Sequence, residues 1–161
     1  MSNTQPTKGL VIRLATPEDI AQIEQLDHFS SSPTRTIHKD VEKYFGSVDP
    51  STHEQTLIFL ADMQGITRAK AELMLPPLAE VAGPAASSAV GYVKRVIVHP
   101  DFRGKGLAKL MLQYIIDFAR SEHRVHAIDL HVWDGNHAAI RLYEKLGFQL
   151  QHRELYYRLD L

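Results

Sequence analysis

Residues 103–108 read Arg103-Gly104-Lys105-Gly106-Leu107-Ala108, two glycines interleaved with two cations just ahead of an amphipathic stretch. A strand that passes through a glycine-rich turn into a helix presents free backbone N–H groups and the positive end of the helix dipole to one point. An anion is the natural occupant of that point. Gly104 and Gly106 let phosphate oxygens approach the backbone, the small Ala108 keeps the first turn open, and Arg103 and Lys105 add charge. The run lacks the Gly-Lys-Ser/Thr ending of a Walker loop and the three-glycine spacing of a dinucleotide fingerprint, which disfavours nucleoside triphosphates and NAD. On this loop alone, a plain strand-to-helix turn with two solvated cations stays open beside the anion site.

The flanking elements are what would hold such a loop in place. Residues 90–98 have the β-branched density of a central strand, broken by Lys94-Arg95 and closed by His99-Pro100. Downstream, Leu107, Leu110, Met111, Tyr114, Ile115 and Phe118 fall at helical spacing, with Lys109, Gln113, Asp117 and Arg120 opposite. This predicts a helix lying on a sheet. Nearer the N-terminus, residues 10–14 read as a strand, and Thr16-Pro17-Glu18-Asp19 opens a helix whose face is Ile20, Ile23 and Leu26. A Ser/Thr-rich segment, 30–36, is a substrate lid or a connector, and a second short helix is expected over 37–45, ended near Gly46.

Strands are expected over 56–62 and 66–75 about a Gln64-Gly65 turn, and a mobile loop rich in Ala, Pro, Gly and Ser over 76–89. Another strand is expected over 127–133, followed by an Asp134-Gly135 turn, an Asn136 cap, a helix over 138–146 and a Gly147 stop. Residues 148–161 alternate enough for one or two more strands. The order is mixed α/β without internal repeats.

With 161 residues and 44% hydrophobic content, the chain can bury one substantial core, so one domain over 1–161 is expected, with a flexible tail at 1–9. A formal net charge of −1, from 18 basic and 19 acidic residues, offers no electrostatic track for nucleic acid. The chain has no cysteine, which removes thiolate nucleophiles, disulfides and sulfur-ligated metals and suits a reducing compartment. The polar start and the lack of any long apolar run predict a cytoplasmic protein with no membrane partner. Of nine histidines, none pair as His-x-x-x-His, and His131 and His137 straddle a turn with no third ligand, so no metal is expected.

Taken together, these residues resemble the GNAT superfamily, the Gcn5-related N-acetyltransferases. The pyrophosphate loop of that family has the form Gln/Arg-x-x-Gly-x-Gly/Ala, matched by Arg103, Gly106 and Ala108, and Val96-Ile97-Val98-His99-Pro100 resembles the strand that pairs with the pantetheine arm. Asn136-x-x-Ala139-x-x-Leu142-Tyr143-Glu144-Lys145-Leu146-Gly147-Phe148 matches the second signature almost in full. The resemblance implies a mixed, mostly antiparallel central sheet of about six or seven strands flanked by about four helices. It implies acetyl-CoA as the cofactor, held by Val96, Ile97, Val98, Arg103, Gly104, Lys105, Gly106, Leu107, Ala108, Asn136 and Tyr143. The implied activity is transfer of an acetyl group to a primary amine of a small molecule or peptide in a direct ternary complex. A sensor or partner subunit without turnover, and a protein N-terminal acetyltransferase, share the same motifs; relatives often dimerise, so a homodimer is open too.

Acetyl transfer from a thioester needs a neutral amine, a stabilised oxyanion and a proton for the departing thiolate. The resemblance assigns the oxyanion to a backbone N–H where the central strand bulges, here within 95–98. It assigns the proton to Tyr143, and phenol (about 10) and thiol (about 8.5) are close enough in pKa for transfer. As a residue, Tyr143 also reads as packing with Ala139, Leu142 and Leu146, and Asn136 as a helix cap. Where many relatives carry a glutamate base, this chain has Lys94-Arg95; Glu72, His131, Asp134 and a water chain are the alternatives. Trp133, Tyr156 and Tyr157 read as core or edge residues. The family resemblance does not extend over 29–88, where the acceptor is chosen.

Overall fold

A computed structural model describes residues 9–30, 41–77, 89–122 and 125–161. The tail up to residue 8, most of the 30–36 segment, the start of the 37–45 helix and most of the 76–89 loop lie outside the described residues. Six strands form one sheet: β1 (Leu10–Leu14), β2 (Phe45–Val48), β3 (Gln55–Met63), β4 (Ile66–Leu75), β5 (Val90–Val98) and β6 (Ala127–Asp129). Their order is β1-β3-β4-β5-β6, with β2 pairing β3 off this path. Every pair is antiparallel except β5 with β6, which is parallel.

Among the described residues the helices are α1 (Ile20–Asp27), a single turn α2 (Val41–Tyr44), α3 (Leu107–Glu122) and α4 (His137–Lys145). The mixed, mostly antiparallel architecture is the expected one, with three helices of eight residues or more where about four were expected. The chain divides into two compact units, Met1–Leu130 and His131–Leu161, and the first holds the whole sheet.

The β3–β4 hairpin closes on Gln64 and Gly65, both left-handed at φ 53° and 78°, as a twist-matched two-residue turn requires. Alternation along β3 then sends side chains to opposite faces. Ile58 and Leu60 pack with Ile23 of α1, while Phe59 meets Phe118 and Tyr114 of α3 at ring distances of 5.2 and 5.8 Å. α3 buries Leu107, Met111, Leu112, Ile115 and Ala119. Each of its large apolar side chains contributes about 1.5–3 kcal/mol on burial. Leu110 and Tyr114, expected on that buried face, remain 42% and 43% exposed, because the face is rotated toward Leu112 and Ala119. Arg13 links β1 to the start of α1 and to β3, bonding both carboxylate oxygens of Asp19 at 2.8 Å and Asp62 at 2.8 Å.

Three expectations are corrected. Within 37–45, the described helical part is only Val41–Tyr44; Phe45 starts a strand, because it pairs with Leu57 and Gly46 takes φ 86°, which a helix cannot continue through. The 127–133 strand stops at Asp129, where its ladder with β5 ends at Tyr92. Residues 148–161 form no strand: alternation supplies a strand face but not the partner a ladder requires. There Leu155, Tyr157 and Leu159 are 75%, 84% and 83% exposed. Trp133 and Tyr156, read as core or edge, are exposed as well.

Candidate active site

Along β4 and β5 the register pairs Lys70 with Ile97 and Glu72 with Lys94, so β5 carries one residue more than β4 between these pairs. The extra residue lies at Arg95, whose φ is 50°. A non-glycine residue held there costs on the order of 1–3 kcal/mol and needs support from its surroundings. The bulge therefore falls within 95–98, the stretch to which the family resemblance assigned it. On the opposite edge of β5, β6 pairs only with Val90, Gly91 and Tyr92. No described strand covers that edge from Val93 to Val98. Ile97 is buried, while Val96 and Val98 are half-buried.

After β5, a 3-10 turn at Pro100–Phe102 leads into the loop. Arg103 Nε donates to the Val98 carbonyl at 3.3 Å, tying the loop back to the strand end. Gly104 and Gly106 both sit at φ 78°, a conformation L side chains rarely adopt. A Cβ built at either glycine meets nothing within 4 Å, so open space lies against the main chain where phosphate oxygens would have to approach. Lys105 Nζ lies 4.8 Å over the Phe102 ring. Leu107 is buried and anchors the first turn of α3, and Ala108 is half-buried. The residues present thus fit the pyrophosphate of coenzyme A.

Behind the bulge stands a group of buried charges that the sequence did not reveal as a unit. Lys70 is fully buried, with Nζ 2.6 Å from Asp27 Oδ1 and 2.6 Å from Glu72 Oε2. Arg95 NH1 is 4.0 Å from the same Asp27 oxygen. The signal available beforehand was two charges, Lys70 and Glu72, spaced by two in an otherwise apolar strand, which puts both on one face. Glu72, a candidate base, is thereby enclosed in an ion pair.

Residues 131–161 carry the second signature. Asn136 caps α4, its Oδ1 accepting from the Ala139 N–H at 3.3 Å. Tyr143 lies on α4, half-buried, with its ring edge-on to Phe148 at 6.0 Å. Burial pushes its phenol above the ordinary tyrosine value. Phe148 N–H donates to the Tyr143 carbonyl at 3.0 Å, fixing the chain after Gly147 at φ 100°. His131 and Asp134 are both exposed. Among the described residues, no three metal-ligating side chains converge.

The chain belongs to the acetyltransferase (GNAT) family, whose model matches residues 24–148. It is 32% identical over 106 residues to a glucosamine 6-phosphate N-acetyltransferase of Trypanosoma brucei brucei, covering 66% of this chain and 65% of that one. Over 67 residues it is 36% identical to the catalytic subunit of the N-terminal acetyltransferase B complex of Arabidopsis thaliana, covering 42% of this chain and 38% of the relative. The match thus spans less than two thirds of either relative's length. Among solved structures, a Trypanosoma brucei acetyltransferase superposes with a TM-score of 0.64 at 25% identity, over 94% of this chain and 99% of that one. An aminoglycoside N-acetyltransferase in complex with CoA gives 0.68 at 18% identity, over 94% and 100%, which is a likeness of fold.

Proposed function

We propose that this chain is an acetyl-CoA-dependent N-acetyltransferase that passes an acetyl group to a primary amine of a small molecule or peptide in a direct ternary complex. The observation that carries this reading is the run from the bulge at Arg95 to the open glycines Gly104 and Gly106 at the head of α3. Bound acetyl-CoA supplies the thioester whose acetyl group is transferred. In this proposal the main chain of 103–108, with Arg103 and Lys105, binds the pyrophosphate. The exposed edge of Val96, Ile97 and Val98 pairs with the amides of the pantetheine arm, and Asn136 adds a hydrogen bond to it.

A backbone N–H at the bulge stabilises the oxyanion, because it is already aimed and needs no reorganisation as charge develops. Tyr143 holds the proton destined for the leaving sulfur on its phenol oxygen, and the burial that raises its pKa keeps that proton in place at neutral pH. With Glu72 enclosed beside Lys70, removal of the ammonium proton falls to solvent or to His131 or Asp134.

The trypanosomal relative, by its name, acetylates an amino sugar phosphate, which supports a small amine as acceptor. The plant relative supports a second reading, acetylation of protein N-termini. Free thiol release from acetyl-CoA, followed with amino sugars, polyamines and free-amine peptides, separates them. The expected outcome is release with one class of small amine; release with peptides alone selects the second reading. Tight acetyl-CoA binding with no release for any amine would leave only a sensor or partner subunit.

A further inference from the structure

We infer that the cleft between α1 and the first half of β4 is an anion site that takes a phosphate monoester, with Arg68 as its counter-ion. The cleft measures about 510 Å³, within the range of small-molecule sites. Gln22 and Gln25 line it from α1, His28 from the cap that follows, Thr67 and Arg68 from β4, and His99 from just beyond β5. No carboxylate stands among the described lining residues.

Arg68 is held in place, and no carboxylate among the described residues lining the cleft neutralises it. Its carbonyl accepts from the His99 N–H at 2.8 Å, and its guanidinium lies 4.3 Å over the Phe102 ring. Stacking of this kind orients the planar donor fork and leaves its charge and N–H groups for another partner. Arg68 Nε is buried and has no hydrogen-bond partner. A buried cationic donor in that state is costly, and an anionic oxygen relieves the cost. Lys105 Nζ, 4.8 Å from the centroid of the same ring, adds a second cation to Phe102.

The neighbouring groups are donors too. His99 Nδ1 accepts from the Asp101 N–H at 3.2 Å, which leaves Nε2 as the donor of the neutral ring. Gln22 Oε1 accepts from the Thr67 N–H at 3.3 Å, which leaves its amide N–H groups for a ligand. A guanidinium, an imidazole and an amide around one space suit the several acceptor oxygens of a phosphate monoester. The site follows from the cleft and Arg68 alone. Only the carrier of the phosphate, an acceptor amine or the cofactor, rests on the proposed activity.

Calorimetric titration of the full chain with two matched pairs tests this: glucosamine 6-phosphate against glucosamine, and CoA against 3′-dephospho-CoA. Arg68→Gln should weaken the phosphorylated member of one pair by about tenfold or more, and its unphosphorylated mate by less than about twofold. The pair that moves identifies the carrier. Gln25→Glu, on an exposed α1 position, should weaken the same member by charge repulsion without disturbing the fold. Inorganic phosphate, read as a rise in melting temperature, should protect the wild type more than Arg68→Gln whether or not acetyl transfer occurs. Loss of CoA binding with that protection intact removes the proposed activity and leaves the anion site. Equal behaviour of wild type and both variants toward all three probes overturns the site.

Discussion

Lys70 and Glu72 pair with β5 on either side of its bulge, and their side chains meet at 2.6 Å. The bond spans the point where β5 carries its extra residue, and Asp27 joins it to α1. A buried lysine between two buried carboxylates is costly to disturb, because removing it strands both anions. Lys70→Met should lower unfolding free energy by about 3–5 kcal/mol, measured by urea denaturation. Adding Glu72→Leu to it should recover part of that loss, since one stranded anion is then gone. Equal stability of Lys70→Met and wild type would show that the ion pairs contribute nothing.

Gly106→Val places a branched side chain at φ 78° and into the open space above the loop. Backbone strain of about 1–2 kcal/mol is expected, which a chain of this size survives with its fold. Acetyl-CoA affinity should fall by more than about tenfold, because phosphate oxygens lose their approach to the main chain. Calorimetry beside a melting curve separates the two effects. Unchanged affinity would overturn the phosphate assignment of the loop.

Tyr143→Phe keeps the ring that packs against Phe148 and removes only the phenol hydroxyl, the proposed proton donor. Turnover should drop roughly 100-fold, with the KM for acetyl-CoA nearly unchanged. Burial raises the phenol value in the folded state, so the protonated form is favoured there. Its contribution is complete below the unfolded value of about 10 and is lost as pH rises through the folded value. The phenylalanine variant should therefore lose less stability than wild type above about pH 10.

Asp19 titrates in the opposite sense. Its hydrogen bonds from Arg13 hold its carboxyl below the ordinary carboxylate value. The resulting stability is present above the unfolded value of about 4 and is lost as pH falls toward the folded one. Asp19→Asn should cost about 1 kcal/mol at pH 7, and the gap to wild type should close below about pH 4. A gap that persists at low pH would mean that the bidentate pair is not its source.

β4 was readable to the residue because Gly65 and Pro76 bound it, β5 because a dense β-branched run ends before His99-Pro100, and α3 because its apolar face recurs over four turns. β2 was missed: Phe45-Gly46-Ser47-Val48 is too short to show alternation, and its pairing with Leu57 and Gln55 is not a local property. The tail erred in the other direction, since Leu155, Tyr157 and Leu159 alternate without gaining a partner strand. At the site, the glycine turn into a helix was legible from its residue types. The bulge came only through family resemblance, because nothing in Lys94-Arg95 declares a left-handed backbone. The Asp27–Lys70 contact joins residues far apart in sequence and was invisible for that reason.

Because β6 leaves β5 after Tyr92, the edge from Val96 to Val98 that no described strand pairs offers main-chain amide groups, which every residue except proline supplies. Such a surface is insensitive to ordinary genetic drift: the side chains at 96–98 can be exchanged and the pairing edge persists. Proline, or an ester in place of one amide, is the change that can erase it. A lineage built on this edge is free to alter its acceptor-side residues while the proposed cofactor contact is inherited with the backbone.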